Sequence, residues 1–486
     1  MNKLRLLIAL ALLIAPTSVL AQEGFPPFTT DFPPEEFAAR RAKFYDAIGE
    51  NGIAIIQGAA SPAGYTRFRQ SNEFYYLCGI EVPHAYLLLD GAARRATVYL
   101  PHRNEGRERG EGKMLSAEDS DLVRQLSGID AVAGTDLLNE HLVRYAYFKR
   151  TVYTPLSPAE GFAMSRDLAL RAVADRAADP FDGVPSREGM LVQTLRARFP
   201  ILEVKDLSPT LDGLRLIKSE REIALLRRAT RLSGLALMEA MRSTEPGIKE
   251  YELDAMAKYV YYRNGAQGES YYSLIASGRN AWYPHYNAGK RRMEDGDFLL
   301  MDFAPDVGYY QSDLTRMMPV NGKFSPSQRE LYGFYLGCYQ AILKAIRPDV
   351  TPQAIKLEAV KEMERLLAAI KFSKPIYEKA AQAFVNSYAA SAKNPRTALG
   401  HWVGMATHDV GEYGDVLRAG MVFTIEPALT VPEEKVYIRL EDMILITPTK
   451  AEILSDFVPM DMDSIERLMK EEGMLQRYPR DAENNH

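Results

Sequence analysis

Apolar and polar positions along the chain follow two different periods, and the switches between them outline the elements. From Ala38 to Glu50 the period is helical, and Ile53-Ala54-Ile55-Ile56 is the short apolar run of a buried strand. Tyr86-Leu87-Leu88-Leu89 before Asp90-Gly91 predicts a strand entering a turn, with Ala96 to Leu100 returning. This alternation predicts an α/β first domain. The charged, glycine-bearing stretch near Glu105 to Glu118 predicts a surface loop. A boundary falls at Asp206-Leu207-Ser208-Pro209. Beyond it, Ser219 and Glu222 form a capping box that opens a helix with Ile223, Leu226, Ala229, Leu232 and Ala236 on one face. Tyr251 to Arg263 predicts a second helix, ended by Asn264-Gly265. Strand-type runs follow at Tyr271 to Ala276, Phe298 to Phe303, Met421 to Glu426 and Val436 to Ile446. Between them Ser325-Pro326-Ser327-Gln328 opens a helix running to about Ile346. The charged last twenty residues predict a helix with a frayed end.

The first 21 residues stand apart. Lys3 and Arg5 precede the apolar run Leu6 to Ala15, Pro16 breaks it, and Val19-Leu20-Ala21 sets a cut before Gln22. A run this short cannot span roughly 30 Å of hydrocarbon as a helix. It predicts a signal peptide cleaved after Ala21 and an exported protein, periplasmic or secreted. No Cys follows the cut to take a lipid, and no later run is long enough to span a membrane, so no stable membrane association is expected after cleavage. Residues 22–36, with Pro26, Pro27, Pro33 and Pro34, predict an extended lead-in. Over 486 residues, 47% hydrophobic and 25% charged content excludes disorder and fibrous repeats for the chain as a whole. With 59 basic and 64 acidic residues there is no positive surplus for nucleic acid. The two cysteines, Cys78 and Cys338, cannot build a disulfide scaffold and are expected as buried thiols.

Several acids stand where acids are costly. The apolar run Phe298-Leu299-Leu300-Met301 delivers Asp302, and Val422-Phe423-Thr424-Ile425 delivers Glu426. Glu441 lies between Tyr437-Ile438 and Met443-Ile444-Leu445-Ile446. A buried carboxylate costs several kcal/mol unless it is paired or binds a metal. Three such acids in one domain, with Asp313 nearby, call for cations. Between residue 211 and the tail the histidines are His285, His401 and His408, the last two in the glycine-punctuated stretch Gly400 to Gly411. Four acids and one imidazole make an oxygen-rich set suited to two hard or borderline divalent ions.

In their order and spacing these blocks resemble the pita-bread metallopeptidases, which include aminopeptidase P, prolidase and methionine aminopeptidase. His285 stands in Pro284-His285-Tyr286, with Asp302 17 residues on and Asp313 another 11, in Ser312-Asp313-Leu314-Thr315-Arg316. Gly322-Lys323-Phe324-Ser325-Pro326 and Gln328-Arg329-Glu330-Leu331-Tyr332 match the following helix entry. His401 and His408 keep a seven-residue interval, and Glu426-Pro427 and Arg439-Leu440-Glu441-Asp442 match the last two blocks. Arg67 to Gly79 resembles the amino-terminal domain of aminopeptidase P and prolidase, which methionine aminopeptidases lack. The aromatics of that stretch are open to either core packing or a substrate-facing role. The resemblance implies an α/β amino-terminal domain over 37–208 and a pita-bread (creatinase/aminopeptidase-like, α+β) catalytic domain over 209–470, with 471–486 as a tail.

By the same resemblance, Asp302 chelates one metal, His401 and Glu426 the other, and Asp313 and Glu441 bridge both. A bridging hydroxide attacks the carbonyl before a proline, and Glu426 carries its proton to the leaving nitrogen. His285 and His408 contact the peptide substrate and the oxyanion. Arg439, placed by strand alternation on the same face as Glu441, either pairs with a ligand acid or binds substrate. The implied activity is that of an Xaa-Pro aminopeptidase carrying two divalent ions, manganese foremost and cobalt or zinc possible. A dimer or tetramer is expected. The alternatives are an Xaa-Pro dipeptidase and a non-catalytic peptide-binding module. Three departures from the family pattern bear on specificity: Thr397 replaces a histidine, Ala428 a glycine, and Phe303-Ala304-Pro305 a smaller pair.

Overall fold

In the computed structural model the described residues are 31–478. The expected signal peptide and its cut, most of the lead-in, and residues 479–486 of the tail lie outside them.

The first half is built on a six-stranded sheet. Its strands are β1 (Gly52–Gln57), β2 (Tyr86–Asp90), β3 (Arg95–Leu100), β4 (Ala131–Gly134), β5 (Thr151–Thr154) and β6 (Glu203–Asp206), in spatial order β4-β3-β2-β1-β5-β6. The central β1-β2-β3 meander is antiparallel, whereas β4, β5 and β6 each join in parallel after a helical crossover. Side chains alternate across the sheet, so Ala54 and Ile56 face one core and Ile53 and Ile55 another. The first core is the larger. It runs without interruption into the second half, joining Leu87 and Phe74 to Leu226, Met301 and Ile444.

The helix that precedes β1 spans Pro34–Ile48, starting inside the expected extended lead-in because Pro34 suits a first helical turn. The expected loop after β3 contains a helix, Glu105–Glu111. It buries nothing and is held by the Asn104 cap on the Arg107 amide and by an Arg107–Glu111 pair at 2.8 Å. The stretch is polar and on the surface as expected, but its first part is helical rather than a loop. Cys78 and Cys338 are both buried and free.

The second half opens with the helices Ser208–Leu216, Glu220–Ser243 and Glu250–Arg263, and the second of these carries the Ser219–Glu222 capping box. The strands β7 (Gly268–Glu269), β8 (Leu274–Ser277), β9 (Phe298–Asp302), β10 (Pro305–Asp306) and β11 (Thr315–Pro319) follow. Three more helices, Pro326–Ala345, Pro352–Ala369 and Pro375–Ser391, each start with proline in the first turn. Then come β12 (Val422–Ile425), β13 (Ala428–Val431), β14 (Val436–Arg439), β15 (Asp442–Ile446) and β16 (Ala451–Ile453). Two antiparallel three-stranded sheets, β11-β9-β8 and β12-β15-β16, meet through a bridge between Thr315 and Glu441. At the end of the described chain the charged stretch forms the short helix Met474–Arg477.

Two strand readings need correction. The run from Val436 to Ile446 is not one strand: it breaks at Leu440-Glu441, and its halves belong to different sheets. Both halves are apolar, so hydrophobicity does not mark the break. Tyr271 to Ser273 is likewise irregular, and the strand begins at Leu274. Among the described residues no helix is long and apolar enough to cross a membrane.

The two halves are joined by buried polar contacts as well as by apolar packing. Arg69 pairs with Asp306 at 2.9 Å, and Asn72 Nδ2 donates to the Met405 carbonyl at 3.1 Å. The Tyr75 and Tyr309 rings stack at 3.6 Å, which places that tyrosine of the Arg67–Gly79 stretch in the core. Arg215, 1% exposed, reaches Glu160 at 2.7 Å and Asp409 at 2.5 Å, and Lys218 meets Asp409 at 3.2 Å.

Candidate metal centre

Strand pairing alone brings the acids together. Asp302 ends the central strand β9 and lies between Leu274 of β8 and Thr315 of β11 in register. Glu426 follows the last residue of β12, and Glu441 precedes the first residue of its antiparallel partner β15, so the two glutamates are neighbours across a strand pair. Thr315 faces Asp302 on one side and Glu441 on the other, and its hydroxyl donates to Glu441 Oε2 at 2.9 Å. His401 is held against β12, where the Thr424 amide donates to its carbonyl at 2.9 Å. The glycines around it are demanded by close approach. A Cβ at Gly400 would lie 2.1 Å from the Thr424 carbonyl oxygen, and one at Gly404 would lie 2.0 Å from an Asp409 carboxylate oxygen.

A single cavity of about 360 Å³ is lined by all eight residues singled out from sequence: His285, Asp302, Asp313, His401, His408, Glu426, Arg439 and Glu441. His401 Nε2 lies 3.4 Å from Asp313, 3.3 Å from Glu426 and 3.8 Å from Glu441. One ligand atom each from Asp313, His401 and Glu441 lie within 4.8 Å of one another, a separation suited to sharing a metal ion. Arg439, at the end of β14, pairs with Asp302 and with Glu426 at 3.1 Å, and also donates to Thr315 Oγ1. Its contacts are those of an ion pair with the acids. They arise from the break after β14 rather than from alternation along one strand.

The electrostatics describe a site short of positive charge. Burial pushes the Asp302 carboxyl up to about 7, with Arg439 opposing the shift and Asp313 reinforcing it. Burial and the charges of Asp313 and Glu426 push Glu441 well above the carboxylate range. Burial acts the same way on Asp313 and Glu426, but the hydrogen bonding and charge of His401, with the charge of Arg439, together outweigh it and hold both below their ordinary values. Reciprocally, those two acids raise His401 against the effect of its burial. Glu441 Oε1 is buried with no hydrogen-bond partner. An orphaned carboxylate oxygen beside three further acids and an imidazole fits divalent cations.

Residues 37–153 match the aminopeptidase P amino-terminal domain, and residues 224–448 match metallopeptidase family M24. The Xaa-Pro aminopeptidase of Escherichia coli (strain K12) is 30% identical over 456 residues, covering 90% of this chain and 97% of that protein. The chain belongs to metallopeptidase family M24.

Within family M24 it falls in the aminopeptidase P branch, and it is a metal-dependent hydrolase. Among solved structures, E. coli aminopeptidase P with the inhibitor Pro-Leu is 28% identical at a TM-score of 0.71, covering 90% of this chain and 98% of that one. A zinc-substituted form of the same enzyme, in complex with product, is 27% identical at a TM-score of 0.71 over the same shares.

Sequence reasoning missed three residues that touch the side chains gathered here. Tyr271 Oη lies 2.5 Å from Asp302 and 2.6 Å from Asp313, with one proton to share between them. Nothing in an apolar run marks that hydroxyl. Thr315 is unremarkable within Ser312-Asp313-Leu314-Thr315-Arg316, and the strand register is what gives it two acid neighbours. Asp167, far away in sequence, meets His408 Nδ1 at 2.9 Å. Thr397 is buried with its hydroxyl 2.9 Å from Lys356 Nζ, and it is not among the residues lining the cavity. Ala428 is exposed and pairs with Arg439 across the β13–β14 hairpin.

Proposed function

We propose that this chain removes the amino-terminal residue from peptides whose second residue is proline. The convergence of four carboxylates and His401 on one cavity carries the reading, and the relatives named above supply the substrate class. Asp302, Asp313, His401, Glu426 and Glu441 hold two divalent cations, manganese foremost. Bound there, the cations supply Lewis-acid polarisation of the scissile carbonyl and a water molecule acidified to near neutrality.

The remaining steps belong to the side chains. Glu426, more exposed than the other acids, takes a proton at its carboxylate from the attacking water and returns it to the leaving nitrogen. Arg439 fixes Asp302 and Glu426 in place. His285, lowered by burial and by the nearby Arg439 charge, stays a neutral imidazole facing the substrate. A proline amide nitrogen has no hydrogen to donate, so its recognition rests on ring packing and on donors aimed at neighbouring carbonyls. His285 supplies such a donor, and His408, whose Nδ1 meets Asp167, offers its other ring nitrogen to the same cavity as an acceptor.

A panel of Xaa-Pro and Xaa-Ala peptides, assayed with and without manganese after chelation, tests the reading. Metal-dependent release of the first residue from Xaa-Pro-Yaa is expected, and equal cutting of Xaa-Ala peptides would overturn the specificity. Release from dipeptides alone would make the enzyme an Xaa-Pro dipeptidase instead. Export belongs to the same proposal, supported by the basic and apolar character of the first 21 residues. Mass spectrometry of the protein recovered outside the cytoplasm should find Gln22 first.

A further inference from the structure

Residues 154–223 fall between the two family matches, yet they reach into the cavity. Ala163, Met164, Ser165 and Leu168 form part of its wall. The helix Arg166–Ala178 begins there, and its second residue, Asp167, places Oδ2 2.9 Å from His408 Nδ1. Ser165 Oγ donates to the other oxygen of Asp167 at 2.5 Å. We propose that Asp167 is a positioning residue for His408, fixing the orientation and tautomer of an imidazole that faces the substrate.

Both sides of the contact are anchored by the same buried charges. Arg166, the neighbour of Asp167, pairs with Asp212 at 2.6 Å, Glu160 at 3.3 Å and Glu73 at 3.4 Å. Asp409, the neighbour of His408, is gripped by Arg215, which also holds Glu160. The two chain segments therefore cannot slide past one another without breaking ion pairs that burial makes costly to lose. Partial burial raises the Asp167 carboxyl, but the hydrogen bonds from Ser165 and His408 outweigh it and keep it below its ordinary value. An ionised carboxylate can only accept. His408 Nδ1 must then donate, which leaves Nε2 as the ring nitrogen available to the cavity. A carboxylate behind an imidazole sets its working nitrogen in this way wherever the ring must present one face to a reacting group.

The proposal rests on the aminopeptidase reading for its kinetic test and stands apart from it for its spectroscopic one. Asp167→Ala and Asp167→Asn are made in the wild-type and His408→Ala backgrounds and assayed with manganese on an Xaa-Pro tripeptide. Asp167→Ala should lower kcat about 10- to 100-fold with little change in KM, as loss of an outer partner of a site histidine does. Asp167→Asn, which keeps an oxygen acceptor, should recover part of that loss. In the His408→Ala background the further loss should vanish, because the effect runs through that ring. An undiminished loss there, or unchanged kcat in the wild-type background, would overturn the proposal. Nitrogen-15 spectra of histidine-labelled, zinc-loaded protein should show the His408 proton on Nδ1 in the wild type and a tautomer mixture in Asp167→Ala. Should the wild type cut no Xaa-Pro peptide, the aminopeptidase reading falls. These spectra then decide the pairing alone, with an unchanged tautomer counting against it.

Discussion

Tyr271 is the residue on which the acid cluster most visibly depends. Its hydroxyl has one proton and two carboxylates within reach, so it spreads a single donor over Asp302 and Asp313. Tyr271→Phe removes the donor while keeping the ring, and should weaken divalent-metal affinity about 10- to 100-fold, read by titration calorimetry. Unchanged affinity would show that the hydroxyl only fills space. Glu426→Gln preserves size but cannot carry a proton. Its kcat should fall about 10²- to 10⁴-fold with the melting temperature near that of the wild type. Near-normal turnover would remove Glu426 from proton transfer. At this scale the sequence was informative where a costly residue ended an apolar run, as with Asp302 and Glu426. It was silent where an unremarkable one supplied the contact. Tyr271 looks like core, and Asp167 meets a histidine 241 positions away.

At the scale of elements, periodicity located helices and strands because burial imposes it, and it failed where the chain turns without becoming polar. The break at Leu440-Glu441 separates two apolar strands, yet it is what lets Glu441 reach the site from one sheet and Arg439 from another. The buried charges between elements were equally invisible, since each side chain looks like an ordinary surface residue in its own segment. One of them carries a pH signature. Burial and the charge of Glu160, only partly offset by Arg215 and Arg166, push Glu73 up to about 7. Its ordinary value is 4.5, so between these limits the folded protein keeps a proton that the unfolded chain has released. This group's contribution to stability is full below pH 4.5 and is lost as pH rises through about 7. Melting curves at pH 5 and pH 8 should therefore differ less for Glu73→Gln than for the wild type. An identical difference would place the titration elsewhere.

For the molecule as a whole, the crowded acids mean that metal contributes to stability as well as to chemistry. Manganese at about 100 times its dissociation constant should stabilise the folded state by about 2.7 kcal/mol, provided that it does not bind the unfolded chain. Chelation should lower the melting temperature and re-addition restore it, and a curve indifferent to chelator would contradict the site. The two-part architecture was legible because each part carries its own recognisable blocks. The stretch from 154 to 223 lies outside both family matches, and its approach to the cavity follows from packing that no local pattern encodes. The ion pairs that hold the halves together also have an evolutionary consequence. Asp306 relies on Arg69 from the first half, and Asp409 relies on an arginine that Glu160 shares. A crossover between relatives near residue 208 would give Asp306 an arginine, and Arg215 a glutamate, selected against a different surface. The halves of such a gene are free to drift only in step, and a shuffled chimaera would inherit two sound parts and a faulty join.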